Sequence, residues 1–424
     1  MFMTDKNIKY LIIFSFIQFY LIGFFLRENI AGGAEQDFVN FTWPAILSFK
    51  NNFLSTLINY SSIGEGSPPL FHILNAYLNP FTFSQIAFQG SITLISIANV
   101  LIFAKIIEKK FEFPKIDSFL YASVFFILPF FRSSAYWGLT ENIGWLFLLV
   151  SIYKYIIFNK TKEKKKIDIF FIALFSSLAL YTRPYLIFFP IFLVFKTIFE
   201  KNINLFKNLS IYYIFLSIPG FYLIYLWGGA IYLGTGEEKI NFIQEYHNPK
   251  FILRNLVIFS SIFFFYIFPL ELIFYLKEKK IPSKKNLLIF FIFSSLLLIL
   301  YYLNYFDYLH ELNLGGGVVL KLVKLFFNDQ ILFFLLVSSI GFTLITKYIF
   351  ISKSNRMLFF SLIIYCFPKY PLQEYFEPLM IILFFSLFDF ENKLTQIKEN
   401  KNITIFVSYF LIYFIGSYYY RYFV

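Results

Sequence analysis

Four stretches set charged side chains directly beside long apolar runs. "GGAEQDFVNFTW" (Gly32–Trp43) carries Asp37, "FRSSAYWGLTENIGW" (131–145) carries Arg132 and Glu141, "ALYTRPYLIFFP" (179–190) carries Arg183, and "FPKYPLQEYFEPLMII" (367–382) carries Lys369 among three prolines. A carboxylate can take a proton from a hydroxyl, and a guanidinium or ammonium can grip an anionic oxygen. Each type also has a plain structural use. Asp37 reads equally as a solvated loop acid or a helix cap, Glu141 as the acid that favours the start of its own helix, and Arg132 and Arg183 as anchors snorkelling to headgroups. Glu65 and His72 lie nearby in "GEGSPPLFHILNAYLNP" (64–80), where His72 sits in an amphipathic stretch that suits packing as well as binding. Three histidines and one cysteine in the whole chain do not suggest a His/Cys metal cluster, and the single Cys366 forms no intrachain disulfide.

The elements that must position these residues are membrane helices. A chain of 424 residues that is 58% hydrophobic and 15% charged exceeds what one water-soluble core can bury. The mean hydropathy of +0.67 agrees with that. The fold class expected is an all-α polytopic membrane protein. Crossing a core of about 30 Å takes roughly 20 apolar residues, which gives about 11–13 transmembrane helices here. The runs are Ile8–Leu26, Phe83–Ile107, Ser118–Phe131, Glu141–Phe158, Ile167–Tyr181, Tyr185–Phe199, Leu209–Trp227, Phe251–Leu276, Leu287–Leu303, Ile331–Ile351, Met357–Phe367, Phe376–Phe388 and Ile403–Tyr418. The first, flanked by Lys6 and Lys9, is too long for a signal peptide and lacks a small-x-small cleavage site, so it reads as a span.

Lysine and arginine then set the orientation, because cytoplasmic loops retain an excess of them. "KIIEKKFEFPK", "KTKEKKK", "EKNINLFK", "KEKKIPSKK", "SKSNR" and "ENKLTQIKENK" all fall on one side if the N-terminus is cytoplasmic. The net charge of +12 is therefore topology, scattered over loops between spans and unlike the clustered footprint of a nucleic-acid binder. This scheme puts the four charged stretches on the outer side of the inner (plasma) membrane. The first outer loop, 27–82, is the longest and carries Glu28, Glu35, Asp37 and Glu65. Its segment Asn40–Tyr60 has apolar residues at helical spacing, so a membrane-parallel interfacial helix is expected there, with Trp43 and Phe53 towards lipid. Pro68–Pro69 then lead into a second short helix from Leu70. Thr140 or Ser134 is available to cap the helix that starts at Glu141. The outer loops "WGGAIYLGTGEEKINFIQEYHNPK" and "NYFDYLHELNLGGGVVLKLVKLFFND" are long enough to fold over a site, and the triple glycine 315–317 marks a flexible turn or a phosphate cradle.

The layout resembles the GT-C class of integral membrane glycosyltransferases, which includes the protein mannosyltransferases, the oligosaccharyltransferases and the transferases that modify lipid A. The resemblance rests on Asp37 soon after span one, the long first outer loop, the "SPPLFHIL" element before span two, Arg132 and Glu141 in the second outer loop, "TRPY" before span six, and the late "PKYPLQEYFEPL". It is strongest over residues 8–200 and suggests a GT-C-like module over 8–227, followed by variable spans and loops over 228–424, all in one integral membrane domain. The chain departs from the class in having a single Asp where an acidic pair is common, and no His before the two prolines, which leaves the subfamily open.

What the resemblance implies is sugar transfer from a polyprenyl-phosphate carrier to a glycan, lipid or protein acceptor on the outer side, with membrane lipids as surroundings and no nucleic acid. Asp37 would be the base, with Glu141 as a second catalytic acid, and Arg132 and Arg183 would hold the lipid phosphate. Glu65, His72 and Lys369 would complete substrate binding. No cofactor beyond the lipid-linked donor is implied, and a divalent metal stays open. Two other polytopic classes compete: a transporter or lipid-linked glycan flippase, which needs ionisable groups near the bilayer midplane, and an O-antigen polymerase or ligase, whose large outer loop comes late in the chain.

Overall fold

A computed structural model describes residues 5–60, 67–227, 251–279, 283–306, 308–311, 315–327, 331–391, 393 and 399–423. Among them the chain is helical throughout, and eight helices are long and apolar enough to cross a membrane, or nine if one bent pair counts as a span. That is the build of a multi-pass membrane protein. The 11–13 spans expected from the apolar runs include shorter pieces that fall below the length counted here. Lys166–Thr182 has only 17 residues, Leu379–Ser386 only 8, and the segment around Met357 ends in a 3-10 turn over Ile363–Cys366.

The chain divides into two compact units, Met1–Ile243 with Val407–Val424, and Gln244–Phe406. In the first unit, α1 (Asp5–Phe25) is followed by the loop-one helices α2 (Ala34–Asp37), α3 (Trp43–Asn51), α4 (Phe53–Ile58) and α5 (Leu70–Leu78). Then come α6 (Gln85–Phe111), α7 (Lys115–Ser123), α8 (Pro129–Tyr136), α9 (Glu141–Lys160), α10 (Lys166–Thr182), α11 (Phe188–Phe199) and α12 (Ile203–Leu226). Local chemistry sets several starts. Ser84 caps α6 by accepting from the Ala87 N–H at 3.2 Å, and Asn202 caps α12 through the Leu205 N–H at 3.1 Å. Helix α5 begins at Leu70 behind the two prolines, as the sequence indicates. The α6, α9 and α10 helices pack together, and polar pins join them: Asn99 Nδ2 donates to the Asn142 carbonyl at 2.9 Å, and Ser151 Oγ to that of Ile172 at 2.7 Å. At one end of the bundle Lys9 pairs with Asp117 at 2.5 Å and Lys160 with Glu112 at 3.4 Å. The lysine-bearing ends of α1, α6, α7 and α9 therefore lie together.

Two loop-one expectations are corrected. The Asn40–Tyr60 segment is not one helix. A π turn over Phe38–Thr42 leads into α3, and the chain becomes extended at Asn52, whose side chain caps α4 by accepting from the Ser55 N–H at 3.0 Å. Trp43 does not face outward either. It packs against Phe38 and Phe88, with centroids at 6.0 and 5.7 Å, while Phe53 is exposed as expected, together with Val39, Leu47, Leu54 and Ile58. A third correction concerns the Ser118–Phe131 run, which is bent by 71° between Lys115–Ile127 and Pro129–Tyr136. Pro129 forces Leu128 into an extended conformation (φ −82°, ψ 122°), and Arg132, read as a loop residue, lies within buried helix α8 instead.

The second unit comprises α13 (Ile252–Glu278), α14 (Lys284–Tyr302), α15 (Tyr308–Glu311), α16 (Gly317–Phe326), α17 (Ile331–Ile351), α18 (Lys353–Leu362), α19 (Leu379–Ser386) and the start of α20 (Asn400–Phe423). Helix α13 is its centre, touching α16, α17 and α19. A Cβ built on Gly341 of α17 collides with the backbone of Ser260 on α13, so only glycine permits this crossing. Backbone atoms cannot rotate away, so Gly341→Ala is expected to cost about 1–3 kcal/mol, towards the upper end. Gly416→Ala, where an added Cβ meets nothing within 4 Å, is the matched control. Unfolding in detergent that leaves both variants equal to wild type would refute the close crossing. The triple glycine is a turn built of left-handed residues (φ 83°, 77° and 77°), with the Gly316 N–H donating to the Pro371 carbonyl at 3.2 Å.

Candidate functional site

In the first unit a continuous polar chain runs from the helix ends into loop one. "TRP" ends α10: Thr182 is its last residue, and Arg183, extended (φ −142°, ψ 111°) because a proline follows, leaves the helical path. Its guanidinium meets Glu141, the first residue of α9, through Nη2 and Oε1, and Nη1 donates to Ser67 Oγ at 3.2 Å. The α9 and α10 helices approach closely here. A Cβ on Gly144, one turn along from Glu141, would lie 3.0 Å from Thr182 Oγ1 and 3.2 Å from Leu186. The Ser67 carbonyl accepts from the Tyr60 hydroxyl at 2.9 Å, and the same hydroxyl lies 2.9 Å from His72 Nδ1. Tyr60 stacks on Trp227 with centroids 5.8 Å apart, and Trp227 Nε1 donates to the Leu57 carbonyl at 2.6 Å. Ser67, His72 and Glu141 are all buried. Glu141 Oε2 and Asn142 Oδ1 are buried acceptors that no donor reaches among the described residues.

Arg132 belongs to a separate arrangement. It is 0% exposed and donates from Nε to Glu28 Oε1 at 2.6 Å, from Nη2 to Glu28 Oε2 at 2.5 Å and from Nη1 to the Phe126 carbonyl at 2.6 Å. Phe19, Tyr20, Tyr136 and Phe414 surround the guanidinium at 4.8–5.7 Å. Its charge and its donors are already matched inside the protein. Ser133 Oγ, next in the chain, accepts from the Ala31 N–H at 3.0 Å and ties loop one to α8.

The structure thus brings Glu141, Arg183 and His72 into one network and gives Arg132 to Glu28. Asp37 is exposed at the end of the four-residue α2. Lys369 lies in the second unit, where its carbonyl accepts from Arg254 Nη2 and its ammonium stands 5.6 Å from the Tyr370 ring. Glu65 and the whole of the 228–250 loop expected to cover a site fall outside the described residues, as does the His310 side chain. Thr140 holds the cap position of α9 without a side-chain capping bond, and Ser134 Oγ instead accepts from Asn142 Nδ2 at 3.0 Å.

Residues that the sequence reading left unranked prove central. Ser67 and Tyr60 carry the network, and the "SPP" element was their only local signal. Glu28 stands out only as the acid nearest the end of span one. In the second unit a buried Glu377 accepts from the Tyr266 hydroxyl at 2.8 Å, and Gln373 Nε2 donates to that hydroxyl at 2.6 Å. The chain matches no family model, no curated protein and no solved structure.

Proposed function

We propose that this chain is a GT-C-type membrane glycosyltransferase that moves a sugar from a polyprenyl-phosphate carrier to a glycan, lipid or protein acceptor outside the inner membrane. The observation that carries the reading is Arg183, held where loop one meets the ends of α9 and α10, between Glu141 and Ser67. In the proposed reaction an acceptor hydroxyl oxygen attacks the anomeric carbon, and the bond from that carbon to the carrier phosphate breaks. The hydroxyl proton passes to the exposed Asp37 carboxylate, and the growing charge on the departing phosphate is met by Arg183. Glu141 orients Arg183 and offers Oε2 to a donor such as a sugar hydroxyl. His72 and Tyr60 hold Ser67, and Glu65 remains a proposed substrate contact. Arg132, being saturated by Glu28, acts at most by shaping this end of the unit.

The lysine-bearing helix ends would face the cytoplasm, so a reporter joined after Lys166 should read as cytoplasmic; an external reading would put Arg183 on the wrong side for this chemistry. The direct test compares cell-surface glycans by mass spectrometry with and without the gene. A missing sugar that the intact gene restores supports the assignment, and identical profiles count against it.

A second reading, transport or flipping of a lipid-linked glycan, draws on one observation. Within the spans α13 and α17, Lys347 Nζ lies 2.8 and 2.9 Å from the Glu271 oxygens, and Tyr348 donates to the same carboxylate. Ionisable groups inside a span are a common mark of a transport path. Protein-dependent movement of a labelled lipid-linked glycan across vesicles, with no sugar transferred, would favour this reading.

A further inference from the structure

At the lysine-bearing end of the first unit the helices leave a cleft lined by Tyr155, Lys164, Ile172, Lys196, Thr197 and Asn202, among others. Its interior volume is about 40 Å³. One water needs about 10–15 Å³ on that measure, so the space suits roughly three waters or one phosphate group. Two cations face it. Lys164 Nζ stands 5.5 Å from the Phe158 ring and makes no ion pair among the described residues. Lys196 is half-buried against the rings of Tyr155 and Phe192 at 5.3 and 5.7 Å and pairs at 3.8 Å with Glu200, which also lines the cleft. Two lysines against the one carboxylate of Glu200 leave the cleft a net positive charge, with Lys196 partly desolvated, a setting that draws in an anion.

The flanks say which anion. Ile198 and Phe199 directly follow the lining residue Thr197, Ile203 directly follows Asn202, and all three are exposed. They offer a path for acyl chains where α11 ends and α12 begins. Helix ends lie at headgroup depth, and basic pockets between spans at such depth suit anionic lipids. We propose that this cleft is a binding site for the phosphate of an anionic phospholipid with a small headgroup. The proposal does not depend on the sugar-transfer reading.

The test uses the full chain in lipid nanodiscs and counts retained lipid by native mass spectrometry, offering phosphatidylglycerol or zwitterionic phosphatidylcholine. Wild type should retain about one phosphatidylglycerol and no phosphatidylcholine. Affinity should fall about fivefold for Lys164→Gln or Lys196→Gln alone, and about 25-fold for both, on the scale of one basic residue near an anionic lipid surface. Lys164→Glu, at an exposed position, repeats the test if the double variant folds poorly. Equal retention of both lipids, or unchanged retention in the double and Lys164→Glu variants, overturns the site. Displacement of the lipid by about 10 mM inorganic phosphate would show that free phosphate is the occupant and overturn the lipid assignment.

Discussion

Arg132→Ala should destabilise the protein by about 3–5 kcal/mol, because it strands the Glu28 carboxylate, 7% exposed, opposite a cage of four aromatic rings. Arg132 supplies three of the hydrogen bonds there, two to Glu28 and one to the Phe126 carbonyl. Glu28→Gln should cost a similar amount by leaving the guanidinium uncompensated. The double variant Glu28→Leu with Arg132→Met should recover more than half of the loss, since removing both charges removes the desolvation cost as well as the attraction. Gly23→Ala presses on the same pair without removing either charge: its added Cβ would collide with Arg132 Nη2 and lie 2.8 Å from Glu28 Oε2 and from the Tyr136 hydroxyl. Thermal unfolding in detergent measures all four variants. A loss below about 1 kcal/mol for Arg132→Ala would mean that the pair is solvated and weak, and would return Arg132 to the set of residues able to hold a substrate phosphate.

Asp37→Asn should lower sugar transfer by about 10²–10⁴-fold while leaving expression and unfolding unchanged, because it keeps the shape of the side chain and removes only its basicity. Asp37 is exposed at the end of the short α2. Arg183 should behave differently. Arg183→Ala should chiefly raise the KM for the lipid-linked donor, and Arg183→Lys should rescue part of it, since an ammonium cannot grip two phosphate oxygens in a fork. Arg183→Ala also strands buried Glu141, so the variant is to be read beside Arg183→Ala with Glu141→Gln. If the donor KM recovers in that double variant, Arg183 acts by neutralising Glu141, and the phosphate role fails. Full transfer by Asp37→Asn would remove the proposed base and leave the enzyme class resting on layout.

Much of the architecture was legible locally. The start of α5 at Leu70 and the break at Arg183–Pro184 each follow from residues within four positions of the feature. Proline geometry acts over one turn, so adjacent residues decide both. Composition likewise decided that the chain is helical and membrane-spanning, since lipid leaves helices as the way for such apolar runs to satisfy their backbone. The path of the Ser118–Phe131 run was less legible: hydropathy does not register that Leu128 turns the chain through 71° and carries Arg132 into a buried helix.

Partnerships were not legible at all. Glu28, Glu35, Asp37, Glu65 and Glu141 all lie on segments expected to share one side of the membrane, so each was a possible match for Arg132 or Arg183. Packing chose Glu28 for Arg132 across 104 positions and joined Arg183 to Glu141 and, across 116 positions, to Ser67. Sequence sets the membrane depth of a charge, because burying it unpaired in lipid is costly. Which opposite charge meets it at that depth depends on how bends and close helix crossings, such as those at Leu128 and Gly144, bring distant segments together, and only the tertiary structure carries that information.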